Sequence, residues 1–257
     1  MKHEIDPRLK LQSVVRTFQV LEAIGRVGRP LSLSEIAQEA GIDKSAAQRI
    51  ANTLFALGYL ERSEARNGYV PGRRILARAH DFLRASPIVE RATPLLIELR
   101  KTCHERVDLS LHDGPMIIYA VRLQSKRENF PATLIGRRLP AYSSSGGRAM
   151  MALMEDGAID AILAASDLRP ITSRTIHDPD GIKAKIAEAR RDGFALAVEE
   201  SLLGEVVLAA AVEDGHGQPV AAVHIAGSLS EWTVDDFAAR FSPLAIETAR
   251  ALSLSSR

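Results

Sequence analysis

From Ser13 to Val27, apolar residues recur at Val14, Phe18, Leu21 and Ile24. That helical spacing predicts a first helix with one buried stripe, stopped by Gly28 and Pro30. Ser32 opens the run Ser-Leu-Ser-Glu, a capping box in which Glu35 reaches back from the third helical position. The helix it starts buries Leu33, Ile36, Ala37 and Ala40, and Gly41 ends it with the positive φ that a sharp turn needs. Asp43 then caps a helix over 44–57 whose inner face is Ala47, Ile50, Ala51 and Leu54. Two short helices across a glycine turn, small at the crossing (Ala37, Ala47), form a helix-turn-helix. The β-prone runs 59–62 and 68–70 flank an Asn67-Gly68 turn and add a wing.

The remaining pattern is longer and alternates. Residues 73–85 carry Ile75, Leu76, Ala79, Phe82 and Leu83, an amphipathic helix that packs on a neighbouring domain or pairs with its twin in a dimer. Ser86-Pro87 ends it, and Pro87 suits the first position of a new helix. A helix is expected from Thr93-Pro94 to about Glu105, with Leu95, Leu96, Leu99 and Cys103 inward. Strands follow at 107–112, 116–123 and near Ala132–Arg138. Helices are expected at 148–154, 156–164 and 181–192, then strands at 194–198, 206–211 and 220–225, with Gly215-His216-Gly217 turning between the last two. Thr233 caps a final helix, 234–252, that Pro243 is expected to kink. The fold class is α+β: a winged helix-turn-helix at 1–72, a linker helix at 73–86 and an α/β domain at 87–257.

Composition narrows the possibilities. The chain has 257 residues, 46% apolar and 25% charged, which excludes a disordered chain. It lacks the ~18-residue apolar run of a membrane helix and the apolar core of a signal peptide, so a cytoplasmic protein without membrane partners is expected. Its one cysteine, Cys103, excludes a disulfide framework and a cysteine-rich zinc site. The net charge of +1 hides an asymmetry: residues 1–85 hold 14 Lys and Arg against 9 Asp and Glu, the remainder 19 against 23. A basic head suits a polyanion, or is simply an uneven solvated surface. The outer face of the second motif helix decides between them. Ser45, Ala46, Gln48, Arg49 and Asn52 offer hydroxyl, amide and guanidinium groups able to read base edges in a major groove. Arg16, Ser32, Lys44, Arg62 and Arg66 complete the face expected on double-stranded operator DNA, with Arg73 and Arg74 beside the wing. The competing interpretation is a helical protein-interaction domain of similar build.

Catalytic patterns are missing from the sequence. There is no Gly-x-Ser-x-Gly elbow, phosphate-binding glycine loop or His-Glu-x-x-His, and the seven histidines have no metal-helix spacing. A Ser143/His224/Asp triad can be drawn, but any serine-rich loop permits one, so no enzyme and no cofactor are expected. The run Tyr142-Ser143-Ser144-Ser145-Gly146-Gly147 ahead of a helix brings hydroxyls and unpaired N–H groups together, either as an anion site or as a plain serine cap.

These segments, in order, resemble the IclR-type bacterial transcriptional regulators. The resemblance rests on 31–37, Gly41-Ile-Asp-Lys-Ser, Arg49-Ile50, Thr53-Leu54, Gly58-Tyr59-Leu60 and Tyr69-Val70-Pro71-Gly72, and it extends over about 13–252. Ala46-Ala47 departs from the hydroxyl or β-branched residue usual there. The resemblance implies a GAF-like effector-binding domain, linker helices that help to dimerise the DNA-binding heads, and dimers or tetramers, more often repressors. Gly136, residues 138–142 and Gly147-Arg148-Ala149 resemble the signature leading into the effector pocket, nearest the branch answering aromatic or β-ketoadipate-type acids. Other walls would be Ala197, Val207, His224 and Ala226. Small, dry walls leave room for a carboxylate effector with an apolar or aromatic body. Arg122 is its expected internal cation, or else a surface salt bridge, and His224 its expected imidazole partner. The alternative is a body that only oligomerises.

Overall fold

The computed structural model describes residues 6–64, 67–124 and 135–253. They form two compact units that divide between Ala85 and Ser86.

In the N-terminal unit, α1 (Gln12–Val27), α2 (Leu33–Ala40) and α3 (Lys44–Ala56) precede an antiparallel hairpin of β1 (Leu60–Arg62) and β2 (Tyr69–Pro71), then α4 (Arg74–Ala85). The caps are those the sequence dictates. Ser32 and Glu35 close a full capping box, Gly41 is left-handed at φ 64°, and Asp43 Oδ1 accepts from the Ala46 N–H at 2.7 Å. The core gathers Ile24, Leu31, Ile36, Ala47, Ala51, Leu54, Leu60 and Tyr69. The expected stripe of α1 needs correction. Ile24 is buried and Leu21 half-buried, but Val14 and Phe18 are 47% and 58% exposed, and Val20 and Ala23 take their place. The alanine-lined crossing of α2 and α3 makes a small core that reaches only the second half of α1. Leu33 and Ile50 pack on that core half-buried. No residue of α4 is buried.

The C-terminal unit starts with α5 (Pro87–Cys103), which takes Pro87 in its first turn and runs through Pro94. It begins earlier than the Thr93 start the sequence suggests, and Leu95 faces outward while Val89, Ala92, Leu96, Leu99 and Cys103 are buried. Then come β3 (Arg106–Asp113), β4 (Met116–Leu123), β5 (Arg138–Pro140), a 3-10 turn over Ala141–Ser143, α6 (Ser145–Met151), α7 (Asp156–Ala164), α8 (Pro179–Asp192), β6 (Ala195–Val198), β7 (Glu205–Glu213), β8 (Pro219–Ser228) and α9 (Val234–Leu252). Of the strand expected near Ala132–Arg138, residues 132–134 lie outside the described residues; the strand that is described begins at Arg138. α6 starts three residues before the expected Arg148, because Ser144 is its cap: the Ser144 hydroxyl accepts from the Gly147 N–H.

The six strands form one antiparallel sheet in the order β5-β4-β3-β8-β7-β6. α5 and α9 cover one face, where Phe237 and Phe241 are fully buried. α6 and α8 cover the other, with Met150, Met151, Ile182 and Ile186 against Tyr119, Ala195, Ala209 and Ala222. Leu109 pairs with Val121 but Ser110 with Tyr119, so Ala120 is a bulge in β4. On a regular strand Tyr119 and Arg122, three apart, would face opposite ways. The bulge brings both to the α6 side, and the Arg122 guanidinium lies 3.9 Å from the Tyr119 ring centre. Among the described residues, no helix is long and apolar enough to cross a membrane.

Candidate nucleic-acid face and ligand site

α3 turns Lys44, Ser45, Gln48, Arg49 and Asn52 to solvent, with Ala46 half-exposed, while Ala47, Ala51 and Leu54 anchor it. Arg16 of α1 and Arg49, Ala46 and Thr53 of α3 line a cleft of about 300 Å³ between those helices. The wing supports this face. The Tyr69 hydroxyl donates to Asn52 Oδ1 at 3.2 Å, and the Arg62 guanidinium lies 4.1 Å from the Tyr69 ring centre and 6.0 Å from that of Phe55. Ser32 is largely committed to the fold: its hydroxyl donates to Glu35 Oε2 at 2.7 Å and accepts from the Glu35 N–H at 3.4 Å. Arg73 is paired with Glu61 at 3.0 Å. Arg66 lies outside the described residues.

In the C-terminal unit, a cavity of about 20 Å³ sits between the sheet, the start of α6 and the loop after β6. Five of the expected effector residues line it: Arg122, Ser144, Ser145, Ala197 and Val207. Beside them stand Leu139, from the 138–142 signature, and Arg106, Tyr119, Arg137, Ser201 and Glu205, which sequence reasoning missed. The charges form a chain. Asp108, wholly buried, accepts from Arg122 Nε at 3.1 Å, from Arg122 Nη2 at 2.9 Å and from Arg106 Nε at 3.0 Å, while Arg106 Nη1 donates to Glu205 at 2.7 Å. Arg122 is therefore neither the surface salt bridge nor a free cation. Two of its nitrogens are held by Asp108, and the third, Nη1, is buried without a hydrogen-bond partner among the described residues. Burial pushes the Tyr119 phenol well above its usual range, so it stays neutral.

The other expected residues do not line this cavity. His224 is buried behind it, with Nε2 2.7 Å from the Ser110 hydroxyl and Nδ1 3.4 Å from that of Ser145. Burial holds its pKa down at about 4 against the pull of Asp108, so the ring is neutral and is no cation for a carboxylate. Gly146 packs against that ring, where a Cβ would clash with His224. The Tyr142 hydroxyl donates to the Arg169 carbonyl at 2.6 Å, Ser143 points back to the Pro140 carbonyl at 3.5 Å, and Ala226 is occupied between Arg106 and Val207 in the strand ladders. Ser143 and His224 share no hydrogen bond among the described residues, so no triad forms. Arg148 is a structural clasp: it binds both Glu200 oxygens, at 2.5 and 2.7 Å, and the Tyr142 carbonyl at 2.7 Å, tying α6 to the loop after β6.

A winged helix-turn-helix in one chain with an α+β unit that encloses a cationic cavity is the build of a DNA-binding regulator. The chain belongs to the IclR family of bacterial transcriptional regulators, not of enzymes: residues 13–64 match the IclR helix-turn-helix domain and 80–254 the family's C-terminal domain. It is 29% identical over 243 residues to the Pca regulon regulatory protein of Pseudomonas putida, covering 94% of this chain and 83% of that one. It is 27% identical over 250 residues to the transcriptional repressor IclR of Escherichia coli K12, covering 95% and 90%. IclR of Thermotoga maritima superposes at a TM-score of 0.69 with 25% identity, covering 95% and 98%. An IclR homolog from Microbacterium hydrocarbonoxydans, solved in complex with 4-hydroxybenzoate, shares the fold at a TM-score of 0.73 and 21% identity, covering 94% and 98%.

Proposed function

We propose that this protein is a ligand-controlled repressor, acting in the cytoplasm, that binds operator DNA through α3 and the wing and senses a small organic carboxylate with an apolar or aromatic body. Ser45, Gln48 and Arg49 choose the sequence, and Arg16, Lys44, Arg62 and Arg66 hold phosphate. Dimers, alone or paired into tetramers, set two heads on half-sites about one helical turn apart, ~34 Å. The exposed Leu76 and Phe82 of α4 are the surface that pairs them. Effector binding shifts the equilibrium between DNA-competent and DNA-incompetent assemblies. A tenfold change in occupancy needs about 1.4 kcal/mol of differential affinity.

The observation that carries the ligand class is the Nη1 of Arg122, a buried cationic donor left unpaired at a cavity whose other walls include Ala197, Val207 and Leu139. An orphaned buried donor costs about 1–3 kcal/mol, and a carboxylate removes that cost. Calorimetry with 4-hydroxybenzoate and benzoate against pyruvate and glyoxylate tests it. We expect the aromatic acids to bind and Arg122→Met to abolish binding; response to the keto acids alone refutes the apolar-bodied effector. The small cavity volume favours one rival, a body that only oligomerises, and a broad acid panel that leaves the protein unshifted would establish that rival.

A further inference from the structure

Ser145 lines the cavity together with Arg122, and what its hydroxyl can present there depends on a residue that does not line the cavity. A neutral imidazole has one N–H and one lone pair, so His224 must donate to one of its two serine neighbours and accept from the other. If Nε2 carries the proton, the ring donates to Ser110, and the Ser110 O–H then needs an acceptor of its own. Ser110 is fully buried, and its hydroxyl has no other hydrogen-bond partner among the described residues. If Nδ1 carries the proton, Ser110 donates to Nε2, the ring donates to Ser145, and the Ser145 O–H is left for the cavity. Either arrangement leaves one serine O–H over; the second leaves it at Ser145, which lines the cavity, and the first at Ser110, which is fully buried away from it, where an unmade donor is the costlier defect.

We infer, resting on the acid-binding function proposed above, that His224 is a positioning residue: the relay Ser110–His224–Ser145 fixes the Ser145 hydroxyl as a donor into the cavity, so that the site selects ligands presenting an acceptor oxygen next to Arg122. The surroundings keep the ring in that role. Asp108, Arg106 and Arg122 are the charged groups nearest to it, burial outweighs the Asp108 carboxylate and leaves it neutral, and the Tyr119 ring packs against it with centroids 5.3 Å apart. Gly146 explains itself here as well. It follows the very serine being oriented, and a side chain there would run into the imidazole and the Ser110 hydroxyl.

The ring's tautomer is directly observable. In the full-length protein labelled with ¹⁵N-histidine, His224 is assigned through its contacts with the Tyr119 ring, and its nitrogen shifts report which atom holds the proton. We expect Nδ1 protonated and Nε2 bare; a protonated Nε2 overturns the inference whatever the ligand. A second measurement uses 4-hydroxybenzoate as the probe. Ser145→Ala, which removes the hydroxyl offered to the ligand together with the oxygen that accepts from His224 Nδ1, is expected to weaken binding about tenfold, and unchanged affinity overturns the inference while leaving the acid-binding function in place. If no aromatic acid binds the unaltered protein, that function fails instead, and the nitrogen shifts still decide the relay.

Discussion

At the scale of single residues, Asp108 holds two guanidinium groups, Arg106 and Arg122, in an interior where its own carboxylate is wholly buried. Asp108→Ala would strand Arg122 and leave Arg106 with Glu205 alone, and we expect a loss of about 3–5 kcal/mol in urea unfolding. His224 gives the body a pH dependence of known sign. Its folded pKa of about 4 lies below the 6.5 of an unfolded histidine, so the unfolded chain binds the extra proton between those values. Stability from this group is complete above pH 6.5 and falls by about 1.4 kcal/mol per pH unit towards pH 4. A His224→Gln variant should lack that slope over the same range. Of the residues expected from their own side-chain chemistry, Arg122, Ser144 and Ser145 line the cavity, while Ser143 turns back to Pro140. The strand pattern Arg106-x-Asp108-x-Ser110, polar at every second position of an otherwise apolar stretch, was also there to be read as a buried polar row. His224 misled because a histidine's role depends on what packs around it.

At the scale of elements, α3 is a platform whose inner alanines fix it and whose outer side chains face solvent, Asn52 being steadied by the Tyr69 hydroxyl. The side chain of Arg49 makes no hydrogen bond or ion pair among the described residues, and the Thr53 hydroxyl donates to its backbone carbonyl. Arg49→Ala should therefore weaken specific operator binding with the melting temperature unchanged, since a bidentate base contact is worth about 1–3 kcal/mol; a lowered melting temperature with normal binding by the folded fraction would make Arg49 a fold residue. Helices with local signals were legible almost to the residue: Ser32, Asp43 and Thr233 each accept from the backbone N–H three residues on. Where periodicity alone spoke, neighbours overrode it. Val14 and Phe18 lie beyond the reach of a small core, and Pro94 did not interrupt α5. The Ala120 bulge placed Tyr119 and Arg122 together in a way that counting by twos cannot reveal.

At the scale of the whole molecule, α4 offers a surface for assembly. α4 buries none of its residues, and it shows Leu76 and Phe82 to solvent. If α4 pairs the heads as proposed, Phe82→Glu should lower the sedimentation coefficient from that of a dimer to that of a monomer and weaken operator binding while each unit stays folded; an unaltered coefficient would locate pairing elsewhere. The cavity behind Arg122 also bears on timing. At about 20 Å³ it has room for roughly one water, far less than an aromatic ring. Capture of such a guest then requires the walls to part first, so the association rate should level off as concentration rises, at the frequency of spontaneous opening. The clasp between Arg148 and Glu200, which ties α6 to the loop after β6, would set that frequency, making the regulator's response time a property of its own interior and not of how much ligand surrounds it.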